Sequence, residues 1–192
     1  QRNEAWTWEH QALTRARPIF GDTELVVKVR TCIDDVLGGE RDIQRLQADI
    51  VSMRKRLLRD KPAHGPFDLK NIVGGLTDLE FLAQFIFLSS LPKLKLDGAG
   101  AHDILSQLGD AVLGAEEAAE LLAAHTDLNT VLHLSRLCTS NGLDPAQMPS
   151  GLVDIICQML NEPSLAHVQE RLMSRQMRVA DAFRSYVGDV SV

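Results

Sequence analysis

An all-α fold, a helical bundle of about seven helices, is what this 192-residue sequence predicts. Three observations lead there. Apolar residues recur at i, i+3, i+4 and i+7 in several stretches, the spacing that lines one face of a helix. Leu, Ala, Glu, Gln and Arg, which lose little rotamer freedom in a helix, are plentiful, while aromatic residues make up only 5%. No stretch alternates apolar and polar residues as a half-buried strand does, and no repeat of fixed period occurs.

Residues 5–17 read as a first helix, stopped by Pro18, whose ring cannot continue it. Asp22 is placed to cap a second helix, with Leu25, Val26, Val29, Cys32, Ile33, Val36 and Leu37 as its apolar stripe and Gly38-Gly39 as a left-handed exit. Ile43, Leu46, Ile50, Met53 and Leu57 make the next stripe; Arg54, Lys55, Arg56 and Arg59 gather near its end, where the helix dipole favours cations and solvent takes the charge. Residues 77–91 are apolar nearly all round, which predicts a central helix, and Thr77 with Glu80 has the spacing of a capping box. A loop over 92–100 precedes helices expected at 103–113 and 115–139. Asn141-Gly142, Pro145 and Pro149 break periodicity over 140–151, and helices at 152–160 and 164–187 complete the bundle.

A chain of this length buries roughly 70% of its unfolded surface without staples, so residues 1–192 are expected to form a single helical domain, with a possible division into 1–92 and 93–192. The net charge of −6 disfavours a surface that works by neutralising phosphates, so nucleic acid is not an expected partner. The run from Phe81 to Leu88 is far shorter than the ~20 residues that cross a bilayer, and no membrane partner is expected. Three well-separated cysteines, Cys32, Cys138 and Cys157, are read as reduced thiols of the core in a cytoplasmic protein. The six histidines lack paired metal-ligand spacing, and no nucleophile motif of the G-x-S-x-G kind is present. The chain opens without Met inside an ordered-looking region, as a piece of something longer would.

Two segments hold residues that a solvent-facing helix does not need. In Glu4–Arg17, Trp6 and Trp8 lie about 200° apart around a helix, so one face packs and another meets something else. An amphipathic helix with Trp anchors and snorkelling Arg stems would account for this on structure alone. In Phe67–Phe81, Gly74-Gly75 could be a turn, and Asp78 and Glu80 first-turn acids worth about 0.3–1 kcal/mol each. That account covers Asp68 and Lys70 less well, opposite charges just before a glycine pair that lets backbone approach a neighbour.

The wording Ala5-Trp-Thr-Trp-Glu-His-Gln-Ala-Leu13, with Phe-Asp-x-Lys, three residues, then Gly-Gly-Leu-x-Asp-Leu-Glu-Phe, resembles the helical region that follows the C-terminal nucleotidyltransferase core of bacterial glutamine synthetase adenylyltransferase. The second pattern is shared with the related PII uridylyltransferase; Ile72-Val73 depart from relatives that carry polar residues there. The resemblance implies transfer of AMP from ATP to a tyrosine of glutamine synthetase, with a homologous half of the enzyme removing it. It implies Arg15 and Arg17, and by the same reasoning Lys70, beside the ATP phosphates, where an Arg fork suits phosphate oxygens. It also implies a cleft or inter-domain face made by Trp6, Glu9, Asp68, Gly74, Gly75, Asp78 and Glu80.

No Gly-Ser followed by Asp-x-Asp occurs, so catalytic and metal-binding carboxylates are expected outside this chain. Mg2+ would then be held by a core upstream of Gln1, and the chain alone would be inactive. The implied partners are that core, ATP, glutamine synthetase and the PII signal protein. Two alternatives stay open: a non-catalytic module that binds PII protein, glutamine or glutamine synthetase, and the helical domain of a PII uridylyltransferase.

Overall fold

The computed structural model describes residues 6–90, 98–138 and 148–190. Among them are eight helices: α1 Thr7–Leu13, α2 Thr23–Leu37, α3 Ile43–Asp60, α4 Leu76–Ser89, α5 Ala101–Leu113, α6 Ala115–Cys138, α7 Ser150–Leu160 and α8 Leu165–Tyr186. Residues 92–97 and 140–147, most of the two expected loops, lie outside the described residues. Among the described residues no helix is long and apolar enough to cross a membrane.

The all-round apolar helix is central, as its composition requires. α4 touches α1, α3, α5, α6 and α8, and buries Leu79, Leu82, Phe85, Ile86, Phe87 and Leu88. Each such side chain contributes about 1.5–3 kcal/mol on leaving water. Leu46 and Ile50 of α3, Leu121, Leu128 and Val131 of α6, Ile156 of α7, and Val168, Leu172, Val179 and Phe183 of α8 close the same core.

Several local expectations change. α1 stops at Leu13 rather than Arg17, because the buried Thr14 hydroxyl donates to the Gln11 carbonyl and the chain tightens into i to i−3 bonds at Arg15 and Ala16. Asp22 does cap α2, its Oδ1 accepting from the Glu24 and Leu25 amides. The exit is not left-handed: Gly38 keeps right-handed angles, and the Arg41 guanidinium takes the Val36, Leu37 and Gly39 carbonyls. Of the α2 stripe only Leu37 is buried. Two of the three cysteines are not core thiols, since Cys32 and Cys138 are exposed, whereas Cys157 is half-buried and packs against the core.

Candidate functional site

Residues 67–75, between α3 and α4, supply what the start of α4 needs. Phe67 and Leu69 anchor the segment in the core. The Leu69 and Lys70 carbonyls accept the Leu76 and Thr77 amides at 2.9 and 3.1 Å, so two of the helix's orphan donors are met by backbone. The expected capping box is therefore absent: Gly75 is the N-cap, and Glu80 is turned elsewhere, to Arg15. Asp68 holds the turn from inside, accepting the Asn71 amide and side chain.

The two carboxylates of Leu-x-Asp-Leu-Glu have separate tasks. Asp78 is fully buried and pairs with Arg54 of α3, also buried, while its second oxygen accepts the Gly74 amide at 2.6 Å. Arg54 Nη2 donates in turn to the Asn71 and Ile72 carbonyls at 2.9 and 3.1 Å. Both charged groups thus have hydrogen bonds beyond the ion pair itself, which a charge pair inside a core requires. The place of Arg54 near a helix end predicts a solvent-facing cation, and the structure buries it instead. Its spacing accounts for this, since Leu46, Ile50 and Arg54 are i, i+4 and i+8 on the buried face.

Gly74 sits at φ +77 with its Cα against α8; a Cβ there would lie 1.9 Å from the Gln176 carbonyl oxygen. A Cβ on Gly75 would lie 2.6 Å from the Leu69 carbonyl. Gly74, Gly75 and Asp78 are accordingly not part of any exposed face, because α8 covers Gly74, the Leu69, Lys70 and Ile72 carbonyls cover Gly75 and Arg54 of α3 covers Asp78.

What remains exposed is a smaller set. Trp6, Trp8, Arg15, Arg17 and Lys70 reach solvent. Glu9 is half-buried and engaged, its Oε2 accepting the Trp6 amide at 2.8 Å to close the start of α1. The Arg15–Glu80 ion pair joins the two sequence segments at the surface, and the Arg17 side chain runs alongside Gly98. Under α1, Gln11 donates to Gln84 of α4 at 2.8 Å, and burial together with the Arg41 charge pushes His10 below the usual histidine range. Among the described residues no three His, Cys, Asp or Glu side chains converge as a metal-ligand set.

Elsewhere, a cleft of about 470 Å3 is lined by Glu116, Glu117 and Glu120 of α6 and Arg178 of α8, and contains none of the residues singled out in the sequence. Glu120 is tied to Arg175 and Glu117 accepts from Tyr186. Nearby Asp127 takes both Arg171 and Arg175, a contact that raises the Arg171 pKa.

Comparison with known proteins divides the chain. Residues 1–31 match the family model described as glutamate-ammonia ligase adenylyltransferase, and residues 39–186 match the one described as GlnD PII-uridylyltransferase. Three similar proteins are each named bifunctional glutamine synthetase adenylyltransferase/adenylyl-removing enzyme. That of Rhizobium meliloti (strain 1021) is 37% identical over 97% of this chain. Those of Brucella suis biovar 1 (strain 1330) and Xanthobacter autotrophicus (strain ATCC BAA-1158 / Py2) are 34% and 33% identical over 98% and 95% of it. The chain spans 19% of the length of each of these relatives.

Proposed function

Because the chain belongs to the glutamine synthetase adenylyltransferase family, we propose that it is the helical part of an enzyme that transfers AMP from ATP to a tyrosine of glutamine synthetase. The observation that carries this reading is the joint match: an adenylyltransferase model at the N-terminal end, and whole-chain relatives bearing that enzyme's name. A uridylyltransferase model alone covers the longer part. The relatives' names favour glutamine synthetase over PII as the protein modified.

The work divides by charge and burial. Transfer of AMP needs groups that stabilise the departing pyrophosphate, and exposed guanidinium or ammonium groups can do so. Arg15, Arg17 and Lys70 are the cations of the two motif segments that reach solvent, and we assign them to the phosphate side of the cleft. Arg15 already rests on Glu80, which would orient its fork. Magnesium, when bound, supplies Lewis-acid charge to the phosphates, and this chain's described carboxylates do not assemble a site for it. We place that site, ATP and the attacking tyrosine outside the chain, in a linked transferase core.

The burial of Gly74, Gly75 and Asp78 favours a second role in the same enzyme. Half of the motif is architecture that locks α3, α4 and α8 together, as suits a module carrying signals from PII protein or glutamine to the core. Kinetics separate the roles. In the polypeptide that carries this chain, Arg15→Ala or Lys70→Ala lowers kcat/KM for ATP by roughly thirty- to a thousand-fold, the equivalent of about 2–4 kcal/mol for one charge-assisted contact in a dry cleft. Near-normal ATP kinetics in both, with altered response to glutamine or PII, leaves the regulatory role alone.

A further inference from the structure

The α2 helix carries an apolar stripe twice as wide as its contacts within the chain use. At 100° per residue, Val26, Ile33 and Leu37 form one ridge and Leu25, Val29, Cys32 and Val36 a second, offset by about 90°. The first ridge is buried or half-buried against the rest of the bundle. The second is exposed over its N-terminal three-quarters, where Leu25 is 58% and Val29 38% accessible and Cys32 is open as well, and half-buried only at Val36 near its end. Phe20, 99% exposed, and Ile19, 87% exposed, add two more uncovered apolar side chains in the segment leading into α2. Exposed large apolar side chains gathered in one stretch of chain are the usual mark of an interaction site.

Its position says what covers it. Ile19, Phe20, Leu25 and Val29 all fall inside residues 1–31, the part that matches the adenylyltransferase model, whereas the well-buried body from residue 39 matches the other. The relatives are about five times as long as this chain, so the unit to which residues 1–31 belong is much larger than those residues. On the polar flank of α2, Lys28 and Glu24 pair at 2.6 Å, so the charge of that flank is partly neutralised within the helix itself. Fifteen residues of helix give a strip about 22 Å long, enough for the contact between two domains of one polypeptide.

We propose that the Leu25–Val29–Cys32 ridge of α2, with Ile19 and Phe20, is the seat of the linked transferase unit, an apolar, salt-insensitive contact that fixes the catalytic unit on the helical body. This rests on the family reading of the proposed function. It goes beyond that reading by naming the contact surface and by placing it on α2 rather than on the glycine motif.

Cys32 reports on the contact directly, because it lies on the ridge, while exposed Cys138 of α6 lies on neither ridge and serves as an internal standard. Maleimide labelling is followed by peptide mass spectrometry in the 192-residue chain and in the longer polypeptide that joins it to the transferase unit. The expected result is a Cys32 rate at least tenfold slower in the longer polypeptide, unchanged in 0.5 M salt, with Cys138 labelled alike in both (about tenfold being the protection that ~1.4 kcal/mol of docking confers). Leu25→Asp with Val29→Asp restores fast Cys32 labelling there, yet leaves the melting temperature of the 192-residue chain unchanged, since both side chains are exposed in it.

Equal Cys32 rates in the two polypeptides overturn the proposal. Cys32 protection that appears in the 192-residue chain alone and grows with its concentration overturns it too, in favour of a second copy. AMP transfer measured on the same preparations keeps the two readings apart: Cys32 open with transfer intact removes the docking surface only, and Cys32 protected in a polypeptide that transfers no AMP supports the surface and removes the enzymatic reading.

Discussion

Removing one partner of the Arg54–Asp78 pair should be among the most damaging single changes available in this fold. Both side chains are fully buried, so Arg54→Met leaves a carboxylate in the core, with only the Gly74 amide to hold it, and frees the Asn71 and Ile72 carbonyls from their donor. Truncating one member of a buried ion pair costs about 3–5 kcal/mol. For a domain of this size each kcal/mol moves the melting temperature by about 2–4 °C, which places the loss at about 6–20 °C. Asp78→Asn should cost a comparable amount, since the amide cannot neutralise Arg54. The double variant removes both charges, so it should lose clearly less than the two singles added together, a coupling of 1 kcal/mol or more. Urea unfolding followed by circular dichroism at pH 7 measures all four corners of the cycle. Single losses below about 1 kcal/mol, or losses that simply add, would refute the claim that this pair fastens the loop to α3 and α4.

Two further perturbations follow from the same geometry. Gly74→Ala should destabilise by more than about 1 kcal/mol, because a positive φ and the Gln176 carbonyl both oppose a Cβ; an unchanged urea midpoint would show that α8 does not press on the loop. His125 is held below the usual histidine value, first by burial and next by His102, with Asp103 acting in the opposite direction. Its unfolded form, with a pKa of about 6.5, therefore binds the proton more readily than its folded form. Stability should be full above pH 6.5 and decline as the pH falls through that value toward the folded pKa. His10 acts in the same sense, so His125→Gln should flatten but not abolish the slope measured in melts from pH 7.5 to 5.5.

The helices were legible because their signals are local. Asp22 caps α2 where its spacing before an apolar stripe says it should, and α4 lies at the centre because no polar face lets it lie anywhere else. What escaped the sequence depends on partners. Thr77 and Glu80 have capping-box spacing, yet the Leu69 and Lys70 carbonyls already satisfy the donors that a box would serve, so Glu80 is released to Arg15. Asp78 resembles a first-turn acid until Arg54 is seen opposite it, and Arg54 resembles a helix-terminal cation until its register with Leu46 and Ile50 is counted. For α2 the stripe is apolar, yet of its residues only Leu37 is buried. Periodicity reports that a face prefers to be covered and cannot say which polypeptide segment covers it.

The two family models that match this chain are named for different acceptor proteins, while its whole-chain relatives are named for glutamine synthetase, so acceptor choice is the most direct test of the proposed function. The polypeptide carrying this chain is given ATP and UTP, labelled at the α-phosphate, together with glutamine synthetase and PII protein in one reaction, and the products are mapped by mass spectrometry. The account predicts AMP on a tyrosine of glutamine synthetase and no nucleotide on PII. UMP on PII, with glutamine synthetase left unmodified, would contradict it.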